Sequence, residues 1–480
     1  MNRYQNEFQT KNKVNPVFLI GIFLTALLLS LFSLDPLLIF VSVMFLPLIY
    51  FFTFRDNEPQ VIFIAMMLSY LSITIKIYYA IFFQKSFTEY SDSNLIEYTT
   101  VLSLFGLFFF LFGIYVAIRK ITLAKTNTIS STLLNYNPRR ILTLYIFSFI
   151  ISSFLKRIGL GLGGFAQFTI NVSYLHNGII FILIAYAYYT NKNVKITILI
   201  ILLEIILSLT GFFSGFKDYF LIIAATILAF KIQFNFRQTI SLVLITVGAI
   251  YFSIVWSAIK PEYRKFLSGG ERSQYVVVSQ SDSFEKLAEL FIEFSNKTYD
   301  FEEIYYSMVD RISYTEFFSL AVEQVPLAIA HENGKLFTEA IEHILLPRIL
   351  NPNKAIIWDS EMVNKYTGRQ VAGELEGTSF SLGFMAECYI DFGPYLMHLP
   401  IFFVGLLMGF IYRYILTNSL NKLWGSALVM NMLFIVNCNG TPTKKVFGYV
   451  FMYFIVYLFF RFFALKKIDK YLRGSFIDKL

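Results

Sequence analysis

Apolar runs dominate this chain, and most of them have about the 20 residues that an α-helix needs to cross a bilayer. Because a backbone in lipid must satisfy its own hydrogen-bonding groups, only helices and closed barrels span a membrane. The runs lack the alternating pattern of barrel strands. The sequence therefore predicts an all-α, polytopic membrane protein with about twelve transmembrane helices, centred on 16–34, 36–54, 60–84, 98–118, 141–156, 170–190, 196–213, 216–231, 238–259, 394–416, 423–439 and 446–465.

Charge is sparse and unevenly placed. Only 15% of the residues are charged, against about a quarter in a soluble domain. The net charge of +8 comes from Lys and Arg beside the ends of the apolar runs, which indicates membrane topology and argues against nucleic acid as a partner. Loops with Lys or Arg, such as those near residues 55, 139 and 231 and the tail, are predicted to be cytoplasmic, and they alternate with short or acidic ones, such as the loop with Glu89 and Asp92. We therefore expect a multi-pass protein of the bacterial cytoplasmic (inner) membrane with both termini cytoplasmic.

One long polar block, residues 260–393, interrupts the apolar runs. It separates a membrane domain over 1–259, with the first nine spans, from a second over 394–480, with the last three and a basic tail. We expect the block to be a large extracytoplasmic helical loop that carries the functional site. Its pattern predicts a helix starting at Asp282, a second over 302–325 and a third over 338–346.

Known catalytic and metal-binding motifs are missing. The sequence has no P-loop, HExxH or GxSxG string. Its four histidines, at 176, 331, 343 and 398, are far apart and lack metal-ligand spacing. Cys388 and Cys438 are too few for a thiolate site. We therefore predict neither a metal centre nor a cofactor.

Two carboxylates stand where the block rejoins the membrane. Glu387 and Asp391 are four residues apart, so on a helix they share one face. Partial removal from water raises the pKa of a carboxylate toward the range of a general base. The alternative is a structural carboxylate paired with an arginine. Two more ionisable residues, Lys76 and Glu204, lie inside apolar runs and are candidates to pair with each other.

The outer block is rich in arginine, at positions 264, 272, 311, 348 and 369. A guanidinium is planar and permanently charged, and it binds phosphate oxygens through paired hydrogen bonds. Such a group suits a lipid pyrophosphate near the membrane plane. The alternative is a set of surface charges paired with acidic residues of the same block. Lys217, in an outward turn between two spans, either reaches a phosphate or snorkels to the interface.

Three strings carry a resemblance to a known family. Residues 310–313 resemble the arginine–serine element of Wzy-type O-antigen and capsule polymerases, which are oligosaccharide repeat-unit polymerases. Residues 346–354 resemble the proline–arginine segment of that family, although Asn351 replaces an expected bulky aromatic residue. Residues 378–393 resemble its glutamate–tyrosine and phenylalanine–glycine stretch. The many spans with one large outer loop late in the chain are similar too.

The resemblance implies a metal-independent glycosyltransferase of the membrane-embedded GT-C type. Its substrates would be undecaprenyl-pyrophosphate-linked oligosaccharides, which it would polymerise into O-antigen, capsule or exopolysaccharide at the outer face of the membrane. A chain-length regulator and a flippase are candidate partners. The alternatives are an O-antigen ligase, with the same chemistry and a different acceptor, and a flippase or transporter of lipid-linked oligosaccharides.

The resemblance also implies roles for particular residues. Glu387 is the first candidate for the general base and Asp391 the second. The pyrophosphate would be bound by Arg311, Arg348 and Arg369, with Lys354, Lys217 and Arg264 as further ligands. The sugars would stack on Tyr366, Tyr389 and Trp358.

Overall fold

A computed structural model describes residues 16–56, 58–121, 127–159, 166–209, 215–232, 235–270, 276–296, 301–345, 358–371 and 379–474. Within these ranges every regular element is a helix. The α-helices are α1 Pro16–Leu31, α2 Pro36–Met44, α3 Leu46–Thr53, α4 Val61–Phe82, α5 Ile96–Ile118, α6 Asn127–Leu134, α7 Pro138–Gly159, α8 Ala166–Thr190, α9 Val194–Leu209, α10 Phe216–Phe230, α11 Phe236–Leu267, α12 Gln280–Asn296, α13 Phe301–Ile312, α14 Thr315–Gln324, α15 Lys335–Leu345, α16 Asp359–Thr367, α17 Phe384–Leu396, α18 His398–Asn418, α19 Lys422–Leu428, α20 Met432–Val436, α21 Thr443–Phe460 and α22 Lys466–Arg473.

Eight helical segments of the described chain are long and apolar enough to cross a membrane: Pro36–Thr53, Val61–Phe82, Ile96–Ile118, Pro138–Lys156, Gln167–Thr190, Phe236–Leu267, His398–Asn418 and Thr443–Arg473. The prediction of an all-α membrane protein is confirmed. The other four predicted spans fall on shorter helices, namely α1, α9, α10 and the segment Lys422–Val436. Length and composition therefore support eight of the twelve spans.

Helices α5 and α18 pack closely at the centre of the bundle, and glycines allow the approach. A Cβ atom added to Gly113 would lie 2.2 Å from the carbonyl oxygen of Phe402. One added to Gly405 would lie 2.2 Å from the carbonyl oxygen of Phe110. Helix association in lipid relies on such close backbone contact, because burial from water does not drive it there.

The polar contacts sort the loops into two groups. In the first group, the Asn137 amide donates to the carbonyl of Leu472 at 2.9 Å, and Lys231 pairs with Asp56 at 2.8 Å. The Lys/Arg pattern predicts that all of these segments lie on the cytoplasmic side. Segments that share a predicted side therefore contact one another.

The second group joins the loop between α4 and α5 to the polar block. The Asp92 amide donates to Glu316 at 3.0 Å, and the Ser93 hydroxyl donates to Glu323 at 2.7 Å. The loop and the block, both predicted to be extracytoplasmic, thus lie at the same end of the molecule. Helix α11 runs through the boundary predicted at 259/260. The boundary predicted at 393/394 falls at a kink in α17, where Gly393 has a non-helical backbone with φ 72°.

The helices of the block begin and end at different residues from those predicted. Helix α12 starts before Asp282, because the Ser279 hydroxyl accepts the Asp282 amide at 3.1 Å. The helix predicted over 302–325 is two helices, α13 and α14. They separate where the Tyr314 amide leaves the helical pattern and donates to the carbonyl of Ser72, on α4, at 2.9 Å.

The suggested pairing of Lys76 with Glu204 is wrong, because each charge has partners closer at hand. The Lys76 ammonium lies 2.7 Å from Asp310 and 2.9 Å from Glu316, so it ties α4 to the outer block. Glu204 instead accepts hydrogen bonds from three side chains of neighbouring helices, at 2.7 to 2.8 Å: His176, Tyr145 and Tyr219. Lys76 and Glu204 therefore each have polar partners, but these partners belong to different groups of helices.

Candidate functional site

Four cationic side chains from three helices form what we call the cation cluster: Lys217, Lys260, Arg264 and Arg311. Lys217 is in the first turn of α10, Lys260 and Arg264 are on α11, and Arg311 is in the last turn of α13. Arg264, Arg311 and Lys217 all lie close enough to repel the Lys260 ammonium. The cluster thus contains three of the six predicted pyrophosphate ligands.

Packing and hydrogen bonding hold the cluster together. Phe216, beside Lys217, packs edge-on against Trp256 of α11 with ring centres 6.0 Å apart. The Arg311 guanidinium donates to the carbonyl of Ser257, also on α11, at 3.4 Å. Lys260 and Arg264 are one helical turn apart on α11 and therefore share a face. Helix α11 is the common support of the site.

The charge balance of the cluster favours an anion. Like charges one turn apart on a helix destabilise it. Within the described chain no ion pair joins Lys217, Lys260 or Arg311 to a carboxylate, although Asp218 follows Lys217 and lies in its electrostatic field. An anionic ligand would relieve this repulsion and accept hydrogen bonds from several of the four groups.

The other three predicted pyrophosphate ligands, Arg348, Arg369 and Lys354, are not among the residues of the cation cluster. Arg369 is half-exposed and pairs at 2.7 Å with Asp92, which belongs to the loop between α4 and α5 and not to the block itself. Arg348 and Lys354 lie outside the described residues, with the whole 346–354 string. Lys260 was not among the predicted ligands, although its position four residues before Arg264 was a usable signal.

Glu387 lies in a separate buried site, at the start of α17. It is 6% exposed, and its carboxylate accepts the backbone N–H of Thr443, in the first turn of α21, at 2.8 Å. Burial raises the pKa of Glu387 to about 7, partly opposed by the bonds to Thr443. A carboxylate with this pKa can take a proton near neutral pH, as a general base must.

The cations nearest to Glu387 are bound to other carboxylates. Lys444 pairs with Glu339 at 2.7 Å, and Lys445 pairs with the buried Asp359. In the described part of the chain, Glu387 itself has no ion pair. Burial therefore raises the pKa of Glu387 by more than the nearby positive charges lower it. The arginine partner that the structural alternative expects for Glu387 is not found among the described residues.

Asp391 shares α17 with Glu387 but faces a different helix. Its two carboxylate oxygens accept the backbone N–H groups of Leu336 at 3.0 Å and Phe337 at 2.7 Å. Asp391 therefore caps the first turn of α15, which orders the start of that helix. These two bonds use two of the roughly four acceptor sites of the carboxylate and fix its orientation toward the start of α15.

The predicted sugar-stacking residues differ in access. Tyr366 is fully buried and donates its hydroxyl to Glu332 at 2.5 Å. Tyr389 is 3% exposed and donates to the carbonyl of Val325 at 2.9 Å. Neither ring offers a face to a ligand, because both fill the core between α14, α16 and α17. Trp358, which precedes α16, is only half-buried.

Metal binding has no support in the described residues, which contain no group of three or more His, Cys, Asp or Glu side chains suited to a metal ion. Both cysteines are buried, free thiols.

Comparison with known proteins gives one match. A family model described as a domain of unknown function, DUF8712, matches residues 60–470. No curated protein and no solved structure matches the chain. The family match extends from α4 to α22 and includes the cation cluster, Glu387 and Asp391. The chain therefore belongs to the DUF8712 family.

Proposed function

We propose that the protein is a GT-C-type polymerase of lipid-pyrophosphate-linked oligosaccharides, acting at the outer face of the bacterial cytoplasmic membrane. The observation that carries this proposal is the cation cluster, in which a long apolar helix, α11, meets the start of α10 and the end of α13. A substrate with a lipid tail and a pyrophosphate would have its tail beside apolar helices and its charge at these four groups.

The cluster would act on the leaving group. In the proposed reaction, the bond between the sugar anomeric carbon and the pyrophosphate oxygen breaks, and a new bond forms from that carbon to an acceptor hydroxyl oxygen. Negative charge develops on the departing pyrophosphate. Fixed cations at that position stabilise the transition state more than the ground state, which lowers the barrier.

The acceptor hydroxyl must lose its proton, and Glu387 is our candidate to receive it. Its pKa of about 7 suits this step, and its backbone partner at Thr443 holds the carboxylate in place. Glu387 and the cation cluster belong to different helix groups, so we propose the two roles separately.

The test is polymer formation by the purified full-length protein in nanodiscs, from lipid-linked repeat units of its own host. Lys260→Ala and Arg311→Ala should each lower the rate roughly 10- to 100-fold, since a hydrogen bond to a charged group contributes about 1.5–3 kcal/mol. Lys265→Ala is the matched control, because Lys265 is exposed on the same helix.

Normal rates in both cluster variants would show that these cations do not bind the donor. An absolute requirement for ATP or a divalent metal would contradict the mechanism, since the pyrophosphate is already an activated leaving group. Polymer formation requires a lipid-linked acceptor; transfer only to a lipid A core acceptor would instead identify a ligase.

A further inference from the structure

A cleft of about 370 Å³ opens between the outer end of α4, the loop that follows it and the start of α13. Three tyrosines and three glutamates line it: Tyr79, Glu89, Tyr90, Glu302, Glu303 and Tyr306. The rings form one cluster, with centres 4.8 Å apart for Tyr79 and Tyr90 and 5.6 Å apart for Tyr90 and Tyr306. The loop and α13 belong to the end of the molecule that carries the polar block.

The chemistry of these walls suits a polyhydroxylated ligand. Tyr306 is partly exposed, so its ring can pack on the C–H face of a sugar, whereas Tyr79 and Tyr90 are buried. Glutamate oxygens accept hydrogen bonds from sugar hydroxyls. Lys85 already supplies a cation, since it pairs with Glu302 at 3.3 Å and lies over the Tyr90 ring at 5.5 Å. The rings, the carboxylates and the ammonium group of this wall together suit the saccharide part of a substrate.

The cleft walls are held in place before any ligand arrives. The Tyr306 hydroxyl donates to the backbone carbonyl of Tyr90 at 3.2 Å. Glu89 accepts the Ser86 amide at 3.1 Å in a capping box. Lys76 donates to the same Tyr90 carbonyl at 3.2 Å from below. Preorganised walls reduce the ordering cost of binding.

The Tyr90 hydroxyl in this wall lacks a hydrogen-bond acceptor among the described residues. Tyr90 is 9% exposed, and its hydroxyl proton has no acceptor within the described chain. The neighbouring Lys85 ammonium can only donate, so it provides no acceptor for the Tyr90 proton. A buried hydroxyl without a partner costs about 1–3 kcal/mol. A sugar oxygen in the cleft would remove that cost.

The cleft and the cation cluster share one helix. Glu303 is in the first turn of α13 and Arg311 in its last turn. Arg311 is eight positions after Glu303, which corresponds to about 12 Å along the helix axis. A pyrophosphate at Arg311 would therefore place the first sugars of a linked oligosaccharide within reach of the cleft.

We propose that this tyrosine–glutamate cleft binds the saccharide part of the lipid-linked substrate, an assignment that rests on the proposed function. Helix α13 would then position both ends of one ligand, with the pyrophosphate at Arg311 and the oligosaccharide between Tyr90 and Glu303. Specificity for the repeat unit would come from this cleft, while the cation cluster would bind any lipid pyrophosphate.

The test uses two separate probes with the full-length protein in nanodiscs. One is the phosphate-free repeat-unit oligosaccharide, released by mild acid from the host's lipid-linked units. The other is inorganic pyrophosphate. Tyr90→Phe and Glu303→Gln should each weaken oligosaccharide binding roughly tenfold by calorimetry, as expected for about 1.5 kcal/mol, and leave pyrophosphate binding unchanged. Arg311→Ala should have the converse effect.

Matched controls are available for both variants. Tyr263→Phe removes another buried hydroxyl without a partner in the described chain, and Glu361→Gln removes an exposed carboxylate on α16. Both should bind oligosaccharide as the wild type does. Tyr90→Phe should not lower the melting temperature, because the buried hydroxyl that it removes has no acceptor among the described residues and costs stability where it is.

The possible outcomes separate the two proposals. Pyrophosphate binding without oligosaccharide binding would overturn the cleft and leave the donor site standing. Oligosaccharide binding that is unchanged in both cleft variants would also overturn it, as would a Ca²⁺ affinity lost in Glu303→Gln with saccharide binding intact. Failure of the wild type to bind either probe would contradict both the cleft and the proposed function.

Discussion

Glu387 shows how one residue links stability to the proposed chemistry. A buried carboxylate without an ion pair is disfavoured in its charged form, which is why the pKa rises from 4.5 to about 7. The single backbone bond from Thr443 compensates only in part. Once its carboxyl group ionises, Glu387 therefore lowers the free energy of unfolding of the protein.

This cost predicts an effect of pH on Glu387→Gln. Below pH 4.5 the carboxyl is protonated in the folded and the unfolded chain, so it contributes no pH dependence. Between pH 4.5 and about 7 the unfolded chain releases the proton first, so the free energy of unfolding of the wild type falls as the pH rises. Glutamine has no proton to release, so the variant should be more stable above pH 7 by roughly 3 kcal/mol at most.

Thermal unfolding of both proteins from pH 4 to 8 measures this difference, with Glu361→Gln as the exposed control. If Glu387 is the base, the more stable variant should also polymerise about 10²–10⁴-fold more slowly. Parallel stability curves for wild type and Glu387→Gln would contradict the raised pKa. Full activity in the variant would exclude Glu387 as the base.

The sequence alone identified some members of the candidate site correctly and misassigned others. Arg264 and Arg311 were identified by charge and by their position outside the spans, and the structure brings them together. Tyr366 and Tyr389 carry the right chemistry but lie in the core. Aromatic residues serve both cores and sugar sites, and only tertiary packing decides between them.

At the scale of elements, the pairing of α5 with α18 makes a sharp prediction. Gly405→Ala adds a methyl group where the carbonyl oxygen of Phe110 is 2.2 Å away, so the two helices must separate. We expect a loss of roughly 1–3 kcal/mol of stability, as for overpacked cores. Gly248→Ala, on α11, has no neighbour within 4 Å and should not destabilise the protein.

Melting temperatures of the two glycine variants in the same nanodiscs provide the comparison. Equal melting temperatures would mean that α5 and α18 tolerate a wider separation than their backbones suggest.

Helix existence was predictable from hydropathy and spacing, but helix ends depend on distant partners. The break between α13 and α14 is set by the Tyr314 amide bonding to Ser72, and the start of α15 by the Asp391 cap. Both partners are more than fifty residues away in sequence. Local patterns carry no signal for such contacts.

At the scale of the whole molecule, the two groups of loop contacts define its two ends, and the Lys/Arg bias predicts that the polar block faces the outside. Cysteine labelling tests this assignment. Both native cysteines are buried, so an introduced one would dominate the signal. Glu342→Cys, on exposed α15, should react with an impermeant reagent in intact cells, and Lys467→Cys, exposed on α22, only after lysis. The reverse pattern would invert the topology and remove the proposed donor site from the outer face.

The most direct test of the central claim is a structure of the full-length protein bound to its undecaprenyl-pyrophosphate-linked repeat unit. The account predicts pyrophosphate density between Lys217, Lys260, Arg264 and Arg311, with the lipid tail along the apolar surface of α11. Pyrophosphate density elsewhere, for instance at Lys444 and Lys445 beside Glu387, would show that the cation cluster is not the donor site.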